Sequence, residues 1–93
     1  MPPSPITFHI LLALASHDQT ANELMSQVAE DTQSTLLIRE VSLYWALVRL
    51  QREGLVTKLQ PSRRYSLTSH GRQVLQREKV RLGRATSLLH ART

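Results

Sequence analysis

The sequence predicts a mainly α-helical fold with one small β-hairpin and a long helix at its C-terminal end. Three observations predict it. Up to residue 53, apolar residues recur at helical spacing in three separate stretches. Residues 56–67 hold two short runs around Gln60, Pro61, Ser62 and Arg63, a composition suited to a hairpin turn. From Ser69 onward the chain has no proline, and the one glycine beyond the first turn is Gly83.

Each element has its own signal. Ser4 and Pro5 start the first helix, serine as N-cap and proline in the first helical position. Ile6, Ile10, Leu11 and Leu14 share one face, widened by Leu12, and the helix runs to about Ser16. His17, Asp18 and Gln19 read as a turn. Thr20 and Glu23 form a capping box, and Leu24, Met25 and Val28 give the second helix its apolar face until about Asp31. Residues 32–35 read as a loop, and Leu36, Leu37 and Ile38 as a candidate short strand. The third helix covers about Glu40 to Glu53, with Leu43, Ala46, Leu47 and Leu50 as its buried stripe. Gly54 suits a left-handed C-terminal cap, with Leu55 folding back onto Leu50. Strands follow at 56–59 and 64–67; in the second, Tyr65 and Leu67 alternate with Arg64 and Ser66. Thr68 caps the last helix, which runs beyond Leu89, on the order of 30 Å at 1.5 Å per residue.

Helix, helix, helix, hairpin, long helix is the order of a winged helix-turn-helix with an added C-terminal helix. The expected division is an arm at 1–4, the winged helix-turn-helix at 5–67 and a C-terminal dimerisation helix at 68–93. A chain of 93 residues is one domain, and a chain this size buries only roughly 60–65% of its unfolded surface. Pairing with a second copy would add burial. Leu75, Leu82 and Leu89 recur every seven residues, with Glu78, Ala85 and Arg92 in the companion positions, a weak coiled-coil seam. Leu88 adds apolar surface beside it. The expected homodimer interface is Leu75, Leu82, Ala85, Leu88 and Leu89, helped by Ile6 and Ile10 of the first helix.

Charge is distributed unevenly. Residues 1–46 carry one base against five acids, and residues 47–93 eleven bases against two acids; −4 and +9 give the net +5. A basic half fits either a polyanion partner or a solvated surface. The third helix sharpens the choice. With Leu43 and Leu47 taken as its core-facing centre, Trp45, Val41, Val48 and Arg52 point outward, Ser42 and Arg49 lie on one shoulder, and Tyr44 sits at the core margin. Such a face suits the major groove of double-stranded DNA. Ser42 and Tyr44 can reach phosphate; Arg49 and Arg52 can reach phosphate or a guanine edge. Arg63 and Arg64 at the hairpin turn can follow the backbone or enter a narrow minor groove. Arg39 and Lys58 complete the expected DNA-binding set. The alternative is a protein–protein interaction module using the Trp45 and Val48 face, with little or no DNA binding; a small apolar effector at the dimer interface can coexist with the DNA-binding reading.

Other classes are disfavoured. There is no cysteine, the histidines lack metal-ligand spacing, and no nucleophile is paired with a base, so neither an enzyme nor a cofactor is expected. The apolar run at 6–15 is about half a membrane span. A cytoplasmic protein is expected.

At three stretches the chain resembles the PadR family of bacterial transcriptional regulators. They are ILLALA at 10–15, VSLYWALVRLQREGLV at 41–56 and RRYSLTSHGRQVL at 63–75. The second is similar to the family's Gly-Thr-Leu-Tyr-x-Ala-Leu-x-Arg-Leu-x-x-x-Gly-Leu pattern, and the third to its Arg-Arg-Tyr-x-Leu-Thr-x-x-Gly wing. The resemblance implies a dimeric DNA-binding repressor with the C-terminal helix in the dimer interface. By position it implies that Ser42 and Tyr44 approach DNA at the helix start and that Arg63 and Arg64 form the wing. The family often has Ser-Pro-Gly where this chain has Arg39, Glu40 and Val41, which removes a helix cap and places an acid near the expected phosphate.

Overall fold

A computed structural model of the chain describes residues 5–31 and 39–91, with the side chains of 31 and 85–91 left aside. The element order is α1 (Pro5–Ser16), α2 (Ala21–Asp31), α3 (Glu40–Arg52), β1 (Val56–Leu59), β2 (Arg64–Leu67) and α4 (Ser69–Ala91). The winged-helix architecture expected from the sequence is present. The arm at 1–4, the Ser4 cap and the short strand at 36–38 lie outside the described residues.

The core is built around α1, which packs against α2, α3, α4 and β2. Ile10, Leu11, Leu14, Leu24, Val28, Leu43, Leu47 and Leu50 are essentially sealed from solvent. Burying each such side chain contributes on the order of 2 kcal/mol, so the helices are held by this cluster more than by local propensity.

The helix ends are made as their residues dictate. The Glu23 N–H donates to Thr20 Oγ1 and the Thr20 N–H to Glu23 Oε1, each at 3.3 Å. This is the reciprocal capping box. At the end of α3, the Gly54 N–H donates to the Gln51 carbonyl at 3.1 Å and the Leu55 N–H to the Leu50 carbonyl at 3.0 Å. Gly54 adopts φ 74°, where glycine costs least. Arg39 is the N-cap of α3 and makes no side-chain cap hydrogen bond.

β1 and β2 are antiparallel, with Val56 opposite Leu67 and Leu59 opposite Arg64. The segment before α2 joins them. Gln19 and Tyr65 exchange backbone hydrogen bonds of 3.1 and 2.7 Å. Gln19 is buried, and its Nε2 donates to the Ala13 carbonyl at 3.0 Å, satisfying its donor. The wing is thereby fastened to the helix-turn-helix at its base.

Thr68 starts α4: its hydroxyl donates to the Gly54 carbonyl at 2.6 Å and accepts from the Gly71 N–H at 3.0 Å. Gly71 passes so close to the end of α3 that a Cβ there would lie 2.1 Å from the Leu55 carbonyl oxygen. Among the described side chains of α4, Leu75 and Glu78 are the last buried ones, and Lys79 to Arg84 are all exposed. From Lys79 to Arg84 the helix therefore runs past the surface that anchors its first turns.

Candidate nucleic-acid interface

α3 presents a fixed outward face because its inner face is locked by Leu43, Ala46, Leu47 and Leu50. Arg39, Ser42, Arg49 and Arg52 are exposed on it. So are three large apolar side chains: Val41 at 65%, Tyr44 at 57% and Trp45 at 62%. The Tyr44 placement corrects the expectation of a core margin. Ala46 and Leu50 draw the buried arc away from Tyr44 by roughly 30° relative to a centre at Leu43 and Leu47. Tyr44 turns outward, and its ring meets Trp45 edge-to-face, centroids 5.6 Å apart at 73°. Val48, expected to point outward, is half-buried. The apolar neighbours Trp45 offers to a partner are Val41 and Tyr44.

The basic side chains divide into engaged and free. Arg49 Nε lies 3.2 Å from Glu53 Oε1, an exposed pair one turn apart. Arg64, expected at the wing tip, reaches back instead. Its Nη1 is 3.4 Å from Glu23 Oε1 and 3.4 Å from the Asp18 carbonyl. Lys58 Nζ sits 5.5 Å from the centroid of the Tyr65 ring, in cation–π range. Arg52 and Arg63 are exposed and have no ion-pair partner among the described residues. Arg63, in the turn, takes a left-handed backbone at φ 60°.

Glu23 is held below its ordinary carboxylate value, first by hydrogen bonds from Thr20 and then by the charge of Arg64. Glu78 is held low by Arg81, whose Nε lies 3.1 and 3.2 Å from the two carboxylate oxygens. That pairing explains how an acid tolerates burial on α4. Nothing in a heptad reading of residues 75–92 signals it; the three-residue spacing of Glu78 and Arg81 does.

The expected dimer residues also divide. Ile10 and Leu75 are 0% and 4% exposed within one chain, so neither has surface to offer a second copy. Both were expected at the interface because their spacing is apolar and helical. The same spacing serves the core, and the contact between α1 and α4 claims them. Ile6 is partly buried against the core and Leu82 is 40% exposed. The side chains of Ala85, Leu88 and Leu89 lie outside the described residues. Val80, 42% exposed, joins Gln73, Gln76, Arg77, Arg81 and Arg84 along an open groove of about 720 Å³ on α4.

Among the described residues, no cluster of three His, Asp or Glu side chains could hold a metal ion, and no helix is long and apolar enough to cross a membrane.

Comparison with known proteins bears on this arrangement. A search of curated proteins finds no match. Among solved structures, a PadR family transcription regulator from Clostridium difficile superposes with TM-score 0.80 at 24% identity, covering 95% of this chain and 97% of that one. A transcriptional regulator from Clostridium thermocellum gives 0.77 at 21%, covering 92% and 87%. Lactococcus lactis ZitR gives 0.68 at 21%, covering 98% of this chain and 59% of its own. At these identities the likeness speaks for the fold. The family model of the transcriptional regulator PadR-like family matches residues 10–77, a span from α1 to the middle of α4, and the chain therefore belongs to that family, whose members are transcriptional regulators and not enzymes.

Proposed function

We propose that the chain is a homodimeric, sequence-specific DNA-binding repressor of the bacterial cytoplasm. α3 would lie in the major groove and the wing would follow the backbone or the minor groove. The observation that carries this reading is the outward face of α3. Arg39, Ser42, Trp45 and Arg52 stand exposed on a helix whose other side is clamped by four buried residues, in a chain of a transcriptional-regulator family. A rigid helix with an unsatisfied basic and aromatic face suits insertion into a groove. Arg63 and Lys58 would supply phosphate contacts from the wing.

Dimerisation through the outer half of α4 is supported by the exposed Val80 and Leu82 on a helix that outreaches its own domain. A two-fold pair would match a two-fold operator.

The experiment is a salt titration of binding to duplex DNA from upstream of the gene. Each phosphate neutralised should add about 0.9 to the slope of log affinity on log salt. The competing reading, an adaptor that docks a protein on the Trp45 face, is favoured only by the exposure of Val41, Tyr44 and Trp45. It predicts no DNA binding even at low salt.

A further inference from the structure

We propose that Trp45, supported by Val41, reads the C5-methyl group of thymine, making the operator thymine-dependent where α3 meets the base edges. The proposal rests on the DNA-binding reading and adds to it the chemical group recognised.

The centre of the outward α3 face is apolar. Val41 and Trp45 are one turn apart, at 65% and 62% exposure, with Tyr44 between them at 57%. The edge-to-face contact of Tyr44 and Trp45 gives the indole one neighbour to rest on, which lowers the rotamer freedom lost on binding.

The floor of the major groove offers mostly hydrogen-bond donors and acceptors. Its one apolar group is the thymine methyl. An indole laid over a guanine, cytosine or adenine edge would strip water from several polar atoms and has one donor, Nε1–H, to offer in return. Over a thymine methyl it buries apolar surface on both sides. Side chains that can bond to base edges stand around the apolar centre: Ser42 and Arg49 on one shoulder, Gln51 on the other, Arg52 beyond Val48. Of these, Arg49 is already held by Glu53. Charge selects nucleic acid as the occupant over an apolar protein surface. Arg39, Arg49 and Arg52 outnumber the exposed Glu40 and Glu53 along the helix, and Arg39 and Arg52 stand exposed at its two ends, placed to meet phosphates flanking the groove.

The test begins by enriching a random duplex pool for binding to the full-length protein. The winning duplex is then made with thymine and with uracil, which lacks only the methyl, and uracil is also substituted one position at a time. Wild-type protein should bind about fourfold more weakly for each contacted methyl removed. The loss should be confined to one or two positions in each half-site. Trp45→Ala, checked for folding by circular dichroism, should bind the thymine and uracil duplexes equally. Val41→Ser should narrow the difference. Trp45 is the sole tryptophan, so its emission should be quenched by the thymine duplex and less so by the uracil one. Equal wild-type affinity for both duplexes overturns the proposal, as does full discrimination in Trp45→Ala. A pool that never enriches overturns the DNA-binding reading itself, and this inference with it.

Discussion

Arg64 reaches across from the wing to the start of α2, its Nη1 3.4 Å from Glu23 Oε1 and 3.4 Å from the Asp18 carbonyl. Adjacent arginines in one turn therefore have different work. Arg64 ties the wing to the helix-turn-helix, beside the Gln19–Tyr65 backbone pair. Arg63 points its charge at solvent. Arg63→Ala should lower the salt slope of DNA binding by about 0.9, whereas Arg64→Ala should leave the slope near the wild-type value. Its effect should be a small fall in the thermal midpoint, as expected for an exposed ion pair. Anisotropy titrations at several salt concentrations, with thermal melts of each variant, separate the two.

The same contact sets a pH dependence. Thr20 hydrogen bonds, then Arg64, hold Glu23 below its ordinary value of 4.5, and Arg81 does the same for Glu78. A carboxylate whose folded value is depressed stabilises the fold above its unfolded value. That stabilisation is lost as pH falls through the folded value. The thermal midpoint should therefore be flat near neutrality and fall below about pH 4.5. Glu23→Gln and Glu78→Gln should each lessen that acid-side fall, read by melts across pH.

Two glycines of α4 should respond in opposite directions. A Cβ on Gly71 would lie 2.1 Å from the Leu55 carbonyl oxygen and 2.7 Å from Leu67 Cδ1; a Cβ on Gly83 meets nothing within 4 Å. Gly71→Ala should cost about 1–3 kcal/mol by overpacking. Gly83→Ala should add up to about 1 kcal/mol, the helix-propensity difference. Urea denaturation measures both.

The outer half of α4 should carry the dimer. Val80→Glu with Leu82→Glu places two charges on exposed apolar positions and leaves the core untouched. Light scattering should report a dimer for the wild type and a monomer for the variant, and circular dichroism should be unchanged. DNA affinity should fall together with the loss of the second half-site contact.

What was legible in the sequence follows from how local each signal is. The Thr20 and Glu23 box, the Gly54 cap with Leu55, and the stripe Leu43, Leu47 and Leu50 are set within a turn or two of chain, and all three appear where the spacing puts them. The orientation of Tyr44 depends on which neighbours fill the groove beside it, so a choice of helix centre placed it wrongly by about a third of a residue step. Arg64 and Glu23 are far apart in sequence, and no period links them. Ile10 and Leu75 show the remaining ambiguity. Apolar residues at helical spacing mark a buried face, but not whether the burying surface belongs to the same chain or to a partner.

The central claim is that α3 and the wing read DNA. The most direct test is fluorescence anisotropy of the purified protein on duplex DNA from upstream of its own gene, beside a scrambled duplex, from low to physiological salt. The account predicts a preference for the native duplex that persists at physiological salt and is lost in a Trp45→Ala/Arg52→Ala/Arg63→Ala variant. Absence of binding to either duplex at low salt would contradict it and transfer the exposed face of α3 to a protein partner.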